Sequence, residues 1–197
     1  MRAKIEELLG LFRGFLGGFP DEPVAGSRAL AATAGERREL EPNSLSCLRH
    51  LDRAVEIAPE PARPLAMWLA ANRDSLRWGQ TYTGADFGRD FIDNYGWVEL
   101  IGTRGHFASD ELAAGFLILG PGILYPDHHH VAEEVYIPLT GGTDWRKGEG
   151  AFTRREACEV IHHPSNINHA MRTSAEPLLA LYLWRGGPLA QKSVIGR

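Results

Sequence analysis

Imidazole, carboxylate and phenol side chains crowd into one short stretch of this sequence, where His128, His129 and His130 are followed by Glu134 and Tyr136. A second histidine cluster, His162 and His163, precedes His169. On an extended strand residues of equal parity share a face, so His128, His130, Glu134 and Tyr136 are expected to point one way and His129 the other. Imidazole nitrogen and carboxylate oxygen together suit a divalent ion such as Zn, Fe(II) or Mn, and a third imidazole would complete a site open to substrate. His169 is the candidate for it. Three adjacent histidines alone would equally read as a solvated turn, so the spacing around them decides.

That spacing runs Gly122, five residues, His128, one residue, His130, three residues, Glu134, six residues, Gly141. It matches the first sequence motif of the cupins at every fixed position. The second cupin motif is met in part: Pro164, Asn166 and His169 stand at its Pro, Gly and His positions, while Cys158 and Thr173 replace its flanking Gly and Asn. Asn can substitute for Gly in a left-handed turn, so these departures touch turns and leave the ligand in place. The candidate metal ligands are therefore His128, His130, Glu134 and His169. His162 and His163 end a strand with one facing in and one out, and neither reads as a ligand. His50 and His106 read as surface or capping residues.

Tyr136, two positions after Glu134 on the same face, departs from the aliphatic residue that barrel interiors more often carry. Beside a divalent cation its phenol should ionise more readily and can serve as ligand, base or both. With Tyr125, Pro126, Asp127, Glu133 and Val135 around the ligands, the chain resembles the cupin-type dimethylsulfoniopropionate (DMSP) lyases of the DddQ-like group. Weaker likeness extends from about Trp78 to Gly186, including Gly96 to Gly102 and Gly115 to Gly120. The resemblance implies metal binding by His130, Glu134 and His169 with His128 at the remaining position, Tyr136 as base, and Tyr125 at the substrate. It also implies a helical cover and a reaction in which loss of the proton α to the DMSP carboxylate expels dimethyl sulfide and leaves acrylate. Aromatic faces shelter a sulfonium at about 0.5 to 2 kcal/mol each, and Tyr125, Trp97, Tyr182 and Trp184 are the candidates. Tyr182 and Trp184 alternate with Leu181 and Leu183, and periodicity alone leaves open which pair faces the lumen. Trp68 and Trp78 read as packing residues.

The elements that must position these groups follow from pattern. Residues 1 to 17 place Ile5, Leu8, Leu9, Phe12, Phe15 and Leu16 at helical spacing, an apolar face for the body of the protein or for a partner subunit of a homodimer. Gly17, Gly18 and Pro20 end it. Helices are expected over 26–38 and 44–56, a linker at Pro59 to Pro64, and a helix from Leu65 to Trp78. From Tyr95 onward short apolar runs separated by turn residues predict strands at 97–101, 114–119, 135–139, 159–162 and 178–184. The fold class is mainly β: a single cupin barrel over 79–197 with an N-terminal helical extension over 1–78 packed on it.

Composition bounds the rest. With 21 basic and 25 acidic residues and a net charge of -4, the chain has no basic patch for nucleic acid. Cys47 and Cys158 are too far apart in sequence for a Cys-x-x-Cys pair and read as free thiols of a cytoplasmic protein. Glu6 and Glu7 interrupt any signal-peptide pattern, and no apolar run is long enough to span a membrane. The expected partner is a small carboxylate substrate. Two rivals share the metal site: another cupin enzyme, isomerase or dioxygenase, and a non-catalytic ligand-binding cupin.

Overall fold

The computed structural model describes residues 2–20 and 22–196; Met1, Asp21 and Arg197 lie outside the described residues. In chain order the elements are α1 (Arg2–Leu16), α2 (Glu22–Ala32), a 3-10 turn (Ser46–His50), α3 (Leu51–Ile57), α4 (Arg63–Ala71), β1 (Trp78–Gly79), α5 (Gly84–Asn94), β2 (Tyr95–Gly102), β3 (Phe107–Ala108), β4 (Leu112–Leu119), β5 (Leu124–His129), β6 (Glu133–Pro138), β7 (Thr143–Lys147), β8 (Thr153–Arg155), β9 (Ile161–His163), β10 (His169–Arg172), β11 (Leu178–Arg185) and β12 (Val194–Ile195). Among the described residues the strands form a seven-stranded sheet ordered β1-β2-β4-β11-β6-β9, with β3 beside β2, and a five-stranded sheet ordered β12-β5-β10-β7-β8. All pairings are antiparallel except β2 with β3. The fold is the mainly β cupin expected, two sheets facing each other across a lumen.

The larger sheet separates two apolar clusters, because alternate residues of each strand leave by opposite faces. Its outer face, with Val98, Phe116, Val135, Leu179, Leu181 and Leu183, packs against the N-terminal helices. The helical spacing of α1 buries Ile5, Leu8, Leu9, Phe12 and Leu16, and the Phe12 ring meets Phe116 edge-on at 6.0 Å. Its inner face turns Tyr95, Leu117, Tyr136, Ala180 and Tyr182 into the lumen, where they meet Tyr125, Trp145 and Met171 from the smaller sheet.

The motif turns hold as the left-handed reading requires. Gly122 has φ 71°, and the two non-glycine residues at motif Gly positions, Cys158 and Asn166, have φ 66° and 59°. Thr173, standing where the motif has Asn, ties the same turn by accepting from the Ile123 N–H (2.8 Å) and donating to the Gly120 carbonyl (2.7 Å).

Several expectations are corrected. Residues 33–38 are not helical: the chain leaves α2 and runs along the sheet edge, with Arg37 bridging Phe107 and Asn43 bridging Arg77. The helix expected from Leu65 to Trp78 stops at Ala71, and Trp78 belongs to β1, where it pairs with Val98 and is fully packed. The stretch from His128 to Tyr136 is not one strand but two, β5 and β6, in different sheets with a turn between. Its residues meet because both inner faces line one lumen, not because of shared parity. His106 is neither surface nor cap; it is buried, and loss of hydration holds its imidazole down at about 4. His50 is half-buried and pairs with the Asn94 side-chain oxygen at 2.9 Å.

Candidate active site

β5 delivers His128 near its end, and the turn into β6 carries His130. β6 opens with Glu133 and Glu134, and β10 brings His169 into register with His128. The structure gathers three of these four: ligand atoms of His130, Glu134 and His169 lie within 4.8 Å of one another, all buried. Nε2 of His130 and Nε2 of His169 each stand 3.1 Å from Glu134 Oε2. His128 lies outside that group, its ring 4.1 Å from that of His169 and 6.4 Å from that of His130.

The imidazoles share one support. Nδ1 of His128 faces the Pro126 carbonyl at 2.8 Å, Nδ1 of His130 the Ala132 carbonyl at 2.8 Å, and Nδ1 of His169 the Ile167 carbonyl at 3.0 Å. A carbonyl accepts only, so each Nδ1 carries a proton; His130 Nε2 donates to Glu134 Oε2 here and would turn a lone pair to a cation once that proton is lost. His169 Nε2 is buried without a hydrogen-bond partner. Lone pairs and a carboxylate converging in a dry place are the donor set of a divalent cation, with ring orientation fixed from behind. Burial works against the Glu134 carboxylate, yet the adjacent histidines hold it well below the usual range.

Trp184 reinforces the carboxylate. In register with Glu134, its indole N–H donates to Glu134 Oε1 while its ring stacks on His130 at 3.9 Å. His163, in register on the other side, is buried and stacked on His169 at 4.2 Å, with Nδ1 3.9 Å from Glu134 Oε2. Sequence had set His163 aside; only the pairing of β9 with β6 places it here. His162 points outward onto Glu133 at 2.7 Å.

A pocket opens beside this cluster, lined by Glu134, Tyr136, Tyr125, Trp97, Tyr182 and Trp184, and also by Glu99, Arg104, Leu189, Gln191 and Ser193. All four proposed aromatic contacts thus face it, and Leu181 and Leu183 face the helices. Tyr125 stacks on His128 at 4.1 Å and bonds through its hydroxyl to Tyr82. The Tyr136 phenol is pushed well above its ordinary range by burial and then by the charge of Glu134. In the protein's own groups it is therefore neutral, and its ionisation depends on a cation offsetting that charge. Glu99 was missed, although a lone carboxylate in the apolar run 96–102, two positions from Trp97, was a visible signal.

The family model for dimethylsulfoniopropionate lyase matches residues 24–180. The chain belongs to that family. DMSP lyase DddQ of Ruegeria pomeroyi is 41% identical over 110 residues, 56% of this chain and 55% of that protein. The chain thus spans about half the length of the curated relatives it matches. In three dimensions the crystal structure of the DMSP lyase DddQ from Ruegeria pomeroyi superposes with TM-score 0.89 at 29% identity, over 99% of this chain and 97% of that one. A chain from the crystal structures of the DMSP lyases RdDddP and RnDddQII superposes with TM-score 0.85 at 30% identity, over 100% and 99%. Among the described residues no helix is long and apolar enough to cross a membrane.

Proposed function

We propose that this family member is a metal-dependent carbon–sulfur lyase that cleaves DMSP into dimethyl sulfide and acrylate. The observation that carries this reading is the buried convergence of His130, Glu134 and His169 at the edge of an aromatic pocket that also presents Tyr136. His130, Glu134 and His169 would hold one divalent ion, Zn, Fe(II) or Mn, with His128 as fourth ligand through its free Nε2. When bound, that ion supplies positive charge for the substrate carboxylate and for the charge developing beside it. Tyr136 accepts the α-proton at its phenolate oxygen. The C–H electron pair becomes the new C=C bond, and the C–S bond breaks with its pair leaving on sulfur as dimethyl sulfide. Trp97, Tyr182 and Trp184 keep water from the α-carbon and present π faces to the sulfonium. Tyr125, held by Tyr82 and stacked on His128, fixes that imidazole and closes the pocket beside the substrate. The unpaired Cys47 and Cys158 support a cytoplasmic setting.

Purified protein loaded with Zn, Mn or Fe(II) should release dimethyl sulfide and acrylate in equal amounts from DMSP, in air and under argon. Gas chromatography of the headspace, with acrylate measured in the same vial, decides it. No dimethyl sulfide above the metal-only control with any of these ions would overturn the reading.

A further inference from the structure

The pocket wall holds a second charged group that the elimination does not use. Glu99 lies on the inner face of β2, its side chain 1% exposed, in register with Gly115 of β4, which is in register with Tyr182 of β11, itself in register with Tyr136 of β6. Glu99 and Tyr136 therefore share one row across the sheet. Gly115 contributes no side chain to that row, and a Cβ there would strike the Val98 carbonyl at 1.9 Å. Between Glu99 and Tyr182 the row is thus bridged by backbone alone.

The carboxylate is built in. Oε1 accepts the backbone N–H of Arg104 at 2.7 Å, and Oε2 accepts from Arg104 Nη2 at 3.2 Å. Gly102, at φ 148°, folds the chain back over it so closely that a Cβ would sit 2.4 Å from Oε1. Arg104 is the outer partner: its side chain is 45% exposed, and its guanidinium lies over the Trp97 ring at 4.8 Å. A carboxylate has about four lone-pair positions, and Arg104 takes two of them.

We propose that Glu99 sets the charge selectivity of this pocket, making it favour a carboxylate that carries an onium cation over the neutral isostere of the same shape. The inference rests on the lyase reading of the pocket and names what recognises the substrate's far end. Both charges line the pocket, but the Glu99 side chain is 1% exposed and that of Arg104 45%, so solvent screens the cation more than the anion. Tyr182, between Glu99 and Tyr136, registers this: after burial, the negative field of Glu99 is what raises its phenol most, and it outweighs the opposing field of Arg104. With the ligand carboxylate drawn to the His130, Glu134 and His169 end, a cation at the other end faces Glu99 and the π surface of Tyr182.

Two ligands that cannot undergo β-elimination test this on zinc-loaded protein by titration calorimetry: dimethylsulfonioacetate and its carbon isostere with an uncharged dimethyl end, 3-methylbutanoate. Wild type should bind the sulfonium at least about tenfold more tightly, and Glu99→Gln should remove about tenfold of that ratio. Arg104→Gln, which uncovers Glu99, should keep or enlarge the preference. An unchanged ratio in Glu99→Gln, an equal loss for both ligands, or a preference lost in Arg104→Gln would each overturn the proposal. DMSP cleavage is measured on the same wild-type preparation: its absence sinks the lyase reading, whereas a charge preference that Glu99→Gln abolishes would stand without it.

Discussion

Trp184 offers the sharpest test of how the candidate metal site is held. Sequence placed it among the substrate contacts; the structure also bonds its indole N–H to Glu134 Oε1 and stacks its ring on His130 at 3.9 Å. Trp184→Phe keeps an aromatic ring over the imidazole and deletes the N–H. The deleted bond ends on a buried carboxylate, and such bonds contribute about 1.5–3 kcal/mol. Glu134 loses that support in the metal-bound protein, where it must be fully ionised and correctly turned. At about 1.4 kcal/mol per tenfold, zinc affinity should fall by about 10- to 100-fold, the range seen when the groups that orient metal ligands are removed. Competition against a chromophoric zinc chelator reads the affinity directly. Thermal unfolding in fixed excess zinc provides a second measure, since weaker binding lowers the stabilisation that the ion confers on the folded state. Zinc affinity within about threefold of wild type, in a variant whose metal-free unfolding is unchanged, would refute the reasoning. The indole would then be a wall of the pocket and nothing more.

His130→Ala and Glu134→Ala should each remove most bound metal, because each deletes one of three converging donors, and elemental analysis after dialysis would show it. Tyr136→Phe should retain metal and fold while losing at least about a hundredfold in dimethyl sulfide release, as expected when a general base is deleted; equal activity in the variant would move the base elsewhere. Phe12→Ala should cost about 3–5 kcal/mol in urea unfolding, since the ring is fully buried and packs edge-on against Phe116 across the helix–sheet interface. Cys47, fully buried and pushed up to about 12 by loss of hydration, should resist a thiol reagent at pH 8 in folded protein, with any reaction confined to half-buried Cys158.

The closeness of His130 to Glu134 was legible because the spacing from Gly122 to Gly141 is a local property that chain order alone records, whereas His128, read there as an equal ligand, stands outside the group the structure gathers. The apolar stripe of α1 and the strands expected at 97–101, 114–119 and 178–184 were legible for the same reason, since helical and strand periods show within ten or so residues, and the structure extends each strand by one to three residues. The left-handed position at Asn166 also followed from the motif, which places Gly there for its backbone freedom, and the structure shows that Cys158 adopts the same conformation.

What parity could not supply was which sheet each strand joins. His128 and Glu134 sit on opposite sheets, and they approach because two inner faces close on one lumen. The same closure turns Tyr182 and Trp184 inward and sends Leu181 and Leu183 to the helices, a choice that alternation leaves undecided. His163 reaches Glu134 through the pairing of β9 with β6, and Glu99 reaches the row of Tyr136 through two intervening strands. Such neighbours are far apart in sequence and carry no local period. The types of chemistry available to this chain were thus set by the sequence of one short stretch. The partners that orient the candidate ligands, and the place of Glu99 on the pocket wall, were decided only when the strands paired and buried them together.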